Sequence, residues 1–133
     1  MADTLLPEAV AERLVETCES VAGRHLRSVT YFTDSDYAQL YLRADLERDA
    51  DLESFTSVEW HESSIIGDAY ATSELGEHEW TIRAFDNGYL LRVSEPHHGV
   101  FVTTDEMPMT NFERLGEELD DVVADLPAPS QAG

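Results

Sequence analysis

The stretch from Trp80 to Val93 constrains the fold more tightly than any other part of the chain. "WTIRAF" and "YLLRV" are rich in β-branched and aromatic residues, and "DNG" lies between them. Asn-Gly favours a two-residue type I′ turn, because both central residues of that turn need positive φ. With Asn87 and Gly88 as the loop, Asp86 faces Tyr89. Phe85, Ala84, Arg83 and Ile82 then face Leu90, Leu91, Arg92 and Val93 in turn. Ile82, Ala84, Leu91 and Val93 share one face, which other elements must cover. The same register sets Arg83 directly opposite Arg92, a destabilising like-charge pair unless something neutralises it. A carboxylate from the central or closing helix is the simpler neutraliser. An anionic ligand or a partner's acidic side chain is the alternative.

The elements around this hairpin follow from periodicity. "EPHHG" reads as a second turn and "VFVTT" as a third strand. Upstream, Pro7 suits the first turn of a helix. Val10, Leu14, Cys18 and Val21 recur at helical spacing, and Gly23 is the stop. Cys18 sits on that apolar stripe, which predicts a buried, inert thiol. "SVTYF", the turn "TDSD" and "YAQLYLR" read as a first hairpin. Tyr37, Leu40, Tyr41 and Ala44 also fit a helical period, so a helix there stays open.

From Asp45 onward Leu46, Leu52, Phe55, Val58, Ile65 and Ile66 are spaced for one or two helical segments. Asp45 or Asp51 supplies the N-cap, and Gly67 ends the region. "DAYATSELGEHE" is a polar connection. Thr110 and Glu113 predict a capping box for the last helix. Phe112, Leu115, Leu119, Val122 and Leu126 form its apolar stripe, and Pro127 stops it. The expectation is one domain over residues 1–126 and a disordered tail over 127–133.

Charge narrows the setting. Among 133 residues there are 28 Asp and Glu against 8 basic residues, all of them Arg, for a formal net charge of −20. Such a chain repels itself at low salt, whereas a Debye length of about 3 Å near 1 M salt removes most of that cost. Acid-rich, Lys-free surfaces resemble those of salt-in halophiles, especially haloarchaea. No Lys/Arg cluster is present to neutralise phosphates, which argues against a nucleic-acid partner. No apolar run of about 18 residues occurs, and the N-terminus lacks a basic-then-apolar signal, so neither a membrane partner nor export is expected and the location is cytoplasmic. Cys18 is alone, which excludes an internal disulfide and a cysteine cluster for zinc.

The motifs that could carry chemistry fail on spacing. "HESSI" begins like the zinc-protease helix at His61, but Ile65 stands where the second His is needed. His97 and His98 are adjacent and on a strand would point to opposite faces; only in a turn could they share a metal, with Glu95 or His78 as a third ligand. The acids from Asp45 to Glu53 do not form a calcium loop, because the required glycine is Ala50 and the bidentate acid at the twelfth position is Thr56. No glycine-rich phosphate loop or nucleophile elbow is present. No catalytic residue, metal or cofactor is expected.

The order helix, two strands, helix, three strands, helix resembles the roadblock / dynein light-chain family and its longin-like relatives. "WTIRAFDNGYLLRVSEPHHGVFVTTDEMPMTNFERLGEEL" carries the likeness, as a hairpin, a third strand, a short link and a closing helix. The chain also looks like an uncharacterised haloarchaeal family. The roadblock resemblance implies an α+β sandwich, with a five-stranded antiparallel sheet and helices on both faces. It implies a homodimer joined through the edge strand and the central helix, here Trp80, Ile82 and Phe85 with Glu59, Glu62 and Ile66. It implies a non-enzymatic regulatory module, often for a small GTPase. Arg83 and Arg92 are the candidates for an anion or partner contact. A PAS-like sensory domain, binding a small ligand between sheet and helix, is the alternative.

Overall fold

The computed structural model describes residues 6–33, 35–46, 55–62, 65, 74–75 and 78–126. Helix α1 spans Glu8–Ala22, and Pro7 is its N-cap. Its buried residues are Leu14, Cys18 and Ala22, at the four-residue spacing that lays side chains along one stripe. Gly23 ends it with φ 55°, a backbone that glycine adopts without strain. A 3-10 turn, Gly23–His25, leads into β1, Leu26–Thr33. After a turn closed by Thr33 N–H donating to the Asp36 carbonyl at 2.8 Å, β2 runs Tyr37–Leu42. Residues 36–43 are therefore strand, not helix, over their central part.

Helix α2 comprises residues 55–62, and Ile65 is helical as well. Then come β3, Trp80–Phe85, β4, Gly88–Glu95, β5, His98–Thr104, and α3, Met109–Asp125. The five strands form one sheet in the order β2-β1-β5-β4-β3, with every neighbouring pair antiparallel. The fold is the expected α+β sandwich. Strand β1 is buried along nearly its whole length because it lies inside the sheet with helices over both faces.

The two faces have separate cores. On one, Val29, Tyr31, Leu91, Val93, Val100 and Val102 meet Leu14 and Cys18 of α1 and Phe112, Leu115, Leu119 and Val123 of α3. On the other, Phe32, Leu90 and Phe101 meet Phe55 and Trp60 of α2. The second set alternates with the first along the strands, as the two-residue period requires.

Three local expectations are corrected. The β3–β4 loop is Asp86-Asn87 rather than Asn87-Gly88, because Phe85 pairs with Gly88. Gly88 does not take positive φ; it opens β4, and any Cβ there would collide with the Thr104 carbonyl oxygen. Close approach of β5, not turn geometry, is what demands glycine there. Second, α3 begins at Met109 with Pro108 as N-cap and no side-chain cap, so Thr110 lies inside the first turn and the capping box does not form. Third, Asp45 is not a helix cap; it sits in a turn and accepts from Arg43 Nε at 2.7 Å. Asp51, Gly67 and the other acids from Glu47 to Glu53 lie outside the described residues. The last helix ends at Asp125, and Leu126 is extended, as a residue before proline prefers.

Candidate functional site

The register sets the geometry of the α2 face. Arg83 pairs with Leu90 and Arg92 with Thr81, so the two arginines are diagonal neighbours rather than directly opposed. The loop lies one residue earlier than expected, which shifts the pairing by two and leaves both arginines on one face. That face lies under α2. Arg92 is 0% exposed and Glu59 is 2% exposed. Arg92 Nη1 donates to Glu59 Oε1 at 2.9 Å and to Glu62 Oε1 at 3.2 Å. Arg83 Nε donates to Glu59 Oε2 at 2.9 Å, and its Nη2 also donates to Glu62 Oε1. Two cations and two carboxylates thus form a neutral clasp between α2 and the sheet.

The clasp answers the like-charge question raised by the sequence. Its neutraliser is a carboxylate pair from the central helix. Burying Arg92 and Glu59 costs desolvation free energy, which close pairing offsets, while Arg83 and Glu62 stay partly exposed at the rim. The Arg83 hydrogen bond is the main cause holding the Glu62 carboxyl below its ordinary range, opposed by desolvation, and the same two carboxylates raise the Arg83 guanidinium further. Arg92 Nη2 also donates to Thr81 Oγ1 at 2.9 Å, and Arg92 Nε has no partner. Sequence reasoning missed Thr81, whose place on the same face as Arg83 was the available signal.

The outer side of α2 is different. Ser57, Val58, His61 and Ile65 are exposed, with Val58 at 55% and Ile65 at 56%. Val58, His61 and Ile65 stand at helical spacing on one stripe. Beside α2, β3 is the last strand of the sheet, and Phe85 at its end is 54% exposed. In a chain of net charge −20, this stripe contains no acid.

The residues singled out from sequence divide accordingly. Phe85 is open to solvent. Trp80 is half-buried against α3, where its ring covers Gly116 so closely that a Cβ there would lie 2.6 Å from it. Ile82 packs against the α1–α3 core. Glu59 faces the sheet rather than solvent because Arg83 and Arg92 hold it there. Glu62 is partly exposed at the clasp's rim. Ile66 lies outside the described residues.

The histidines do not gather. His97 is exposed in the β4–β5 turn, while His98 is buried and its Nδ1 lies 2.6 Å from Tyr31 Oη. Burial lowers the His98 pKa, with the His97 charge adding to it, and burial pushes Tyr31 up to about 12. Among the described residues no three His, Cys, Asp or Glu side chains could hold a metal ion. Cys18 is fully buried, and burial pushes its thiol up to about 12, which keeps it protonated and unreactive. A second charged cluster ties strand ends together: Arg43 Nη1 donates to Asp105 Oδ2 at 2.7 Å, and Arg27 Nη1 to Asp105 Oδ1 at 3.1 Å. A cleft of about 510 Å³ opens nearby on the α2 face, lined by Ser28, Gln39, Phe55, Phe85, Phe101 and Thr103 among others. No helix is long and apolar enough to cross a membrane among the described residues.

Solved structures share this architecture. A structure described as MglB with a tetrameric arrangement superposes with a TM-score of 0.64 at 14% identity, covering 94% of this chain and 98% of that one. The gliding protein MglB from Thermus thermophilus gives 0.60 at 15% identity, covering 95% and 99%. The Roadblock/LC7 domain from Streptomyces avermitilis gives 0.57 at 15% identity, covering 82% and 90%. At such identities the likeness is one of fold, and the fold is roadblock-like. A comparison with curated proteins returns no match. A family model described as "Domain of unknown function (DUF7522)" matches residues 12–124, from α1 through α3, and the chain belongs to that family.

Proposed function

We propose that this chain is a non-enzymatic interaction module of a salt-rich cytoplasm that works as a homodimer, joined through β3 and the outer stripe of α2. The observation that carries this reading is the exposed stripe of Val58, His61 and Ile65 on α2, together with the edge strand and its exposed Phe85. Two copies of a chain with net charge −20 repel over most of their surfaces, so an acid-free apolar stripe is where they can meet. A two-fold arrangement matches the stripe to itself. Edge strands that expose unpaired backbone groups also favour pairing with another strand. One fold neighbour is described with a tetrameric arrangement, in keeping with self-association. Within this reading Trp80 and Ile82 support the edge from inside and Glu62 forms the rim. In this reading the module has a regulatory role toward a partner of the small-GTPase class, a role the roadblock-like fold is compatible with.

Sedimentation velocity in multimolar KCl tests the reading. The wild-type chain sediments as a dimer, and V58D/I65D sediments as a monomer with unchanged circular dichroism. A wild-type chain that stays monomeric across the micromolar range counts against it.

The cleft of about 510 Å³ favours one other reading, a small-ligand sensor. A ligand-dependent rise in melting temperature, lost on Thr103→Phe, distinguishes it.

A further inference from the structure

A hydrogen-bonded chain leads from His78 into the buried clasp. Arg92 Nη2 donates to Thr81 Oγ1 at 2.9 Å, and Thr81 Oγ1 lies 2.8 Å from His78 Nε2. A hydroxyl carries one proton and two acceptor sites. With Arg92 donating to one lone pair of the oxygen, the hydroxyl proton is free to be given to an unprotonated Nε2, the ring form that burial favours. The His78 ring also hydrogen-bonds the Trp80 backbone. Burial and then the Arg92 charge favour the neutral ring, while the Trp80 bond and the Glu62 charge oppose them. The charged groups around His78 come from every neighbouring element: Arg92 and Glu95 from β4, Glu62 from α2, Asp120 from α3 and Glu79 beside it in sequence.

We propose that His78 is a proton-operated latch on α2, so that acid loosens the helix from the sheet and weakens self-association. A proton on Nε2 turns His78 into a donor aimed at Thr81 Oγ1, and the Thr81 hydroxyl proton loses its acceptor. A second positive charge then stands one hydroxyl away from Arg92, whose Nε already lacks a partner. Arg92 is the buried cation that fixes Glu59 by both its carboxylate and its carbonyl, at 2.9 and 3.3 Å. Weakening that hold frees α2, and the outer stripe of α2 moves with it. The latch stands on the hydrogen-bond geometry. Its consequence for assembly rests on the dimer reading proposed above.

Hydrogen exchange of the amides of residues 55–62 tests the latch. It is measured on the full chain in multimolar KCl at about pH 7.5 and about pH 5.5, with intrinsic rates corrected for pH. In the wild type, protection of these amides falls by about tenfold between the two conditions, while H78Q and T81V change by less than about twofold. T81V keeps the histidine and breaks the relay, though it also removes the acceptor of Arg92 Nη2, so each protein is compared with itself at the two pH values. An equal loss in all three proteins overturns the latch. Sedimentation of the same samples separates the two proposals. A wild-type dimer that dissociates only at the lower pH supports the link to assembly, and a dimer that persists while α2 loosens overturns it. A chain that is monomeric at both values overturns the dimer reading, and the exchange comparison still decides the latch.

Discussion

On the α1–α3 face, Leu14, Leu115 and Leu119 press against Val29, Leu91, Val93 and Val102, with Tyr31–His98 as a buried polar pair. On the α2 face, Phe32, Leu90 and Phe101 form a smaller core beside the clasp, in which Arg92 and Glu59 are buried and Arg83 and Glu62 form a partly exposed rim. Apolar contact is non-directional and tolerates small shifts, whereas a buried ion pair holds only in one geometry. The first face supplies cohesion. The second fixes where one short helix sits.

This difference predicts which substitutions matter most. Glu59→Ala leaves Arg92 buried without its main partner and costs about 3–5 kcal/mol of unfolding free energy. Replacing both partners, as R92M/E59L, recovers most of that loss because no uncompensated charge remains. Equilibrium denaturation in high salt measures both. If the single and double variants lose the same amount, the clasp contributes packing rather than charge pairing, and the contrast between the faces fails.

Leu119→Ala on the opposite face deletes a fully buried side chain of α3 and costs about 3 kcal/mol, within the range for such truncations. Its effect differs in kind. The lost burial is apolar, so raising sulfate concentration offsets part of it. Comparing Glu59→Ala with Leu119→Ala across a salt series therefore separates the two faces, since buried charges respond little to screening.

Much of this contrast is legible in the chain. The apolar stripes of α1 and α3, the hairpin and the third strand follow from periodicity, whereas "YAQLYLR" fits a helical period as well and only its aromatic content favours a strand. Arg83 and Arg92 stand out because arginine at alternating strand positions demands a neutraliser. Their register differs from the expected one because Asn-Gly is the stronger general turn signal. Here Gly88 is required instead by the backbone of β5, a contact distant in sequence. The capping box fails for a related reason: Pro108 is the N-cap, two residues ahead of Thr110. The identity of the buried carboxylates is hidden in the sequence because it depends on how α2 rotates over the sheet. Tertiary packing, not local spacing, sets the register and the choice of carboxylates.

The pH response offers a probe of the α1–α3 face. Burial first, and the His97 charge second, lower the His98 pKa from its ordinary 6.5. Below that value the unfolded chain takes up a proton that the folded chain resists. Stability is thus complete above about pH 6.5 and declines as pH falls toward the folded value. His98→Gln keeps a polar partner for Tyr31 and flattens this part of the profile in thermal melts. A further loss comes at lower pH, as Asp105 and Glu62, whose pKa values are depressed by Arg43 and Arg83 respectively, become protonated. If His98→Gln leaves the slope between about pH 7 and 5 unchanged, the neutral buried histidine is not its source.

The smallest effect belongs to the charges that bridge α1 and α3 on the outside. Arg13 Nη1 donates to Asp125 Oδ2 at 3.2 Å, with both side chains more than half exposed. Coulomb attraction there works through water and is further screened by salt, while ordering two long side chains costs entropy. Arg13→Gln therefore changes stability by less than about 1 kcal/mol at low salt and by nothing measurable in multimolar KCl. The same Arg–carboxylate chemistry under α2 behaves oppositely because water is excluded from Arg92. A double-mutant cycle on each pair, run at both salt concentrations, places the two on one scale. If the Arg13–Asp125 coupling equals the Arg92–Glu59 coupling in concentrated salt, burial is not what separates the two kinds of ion pair.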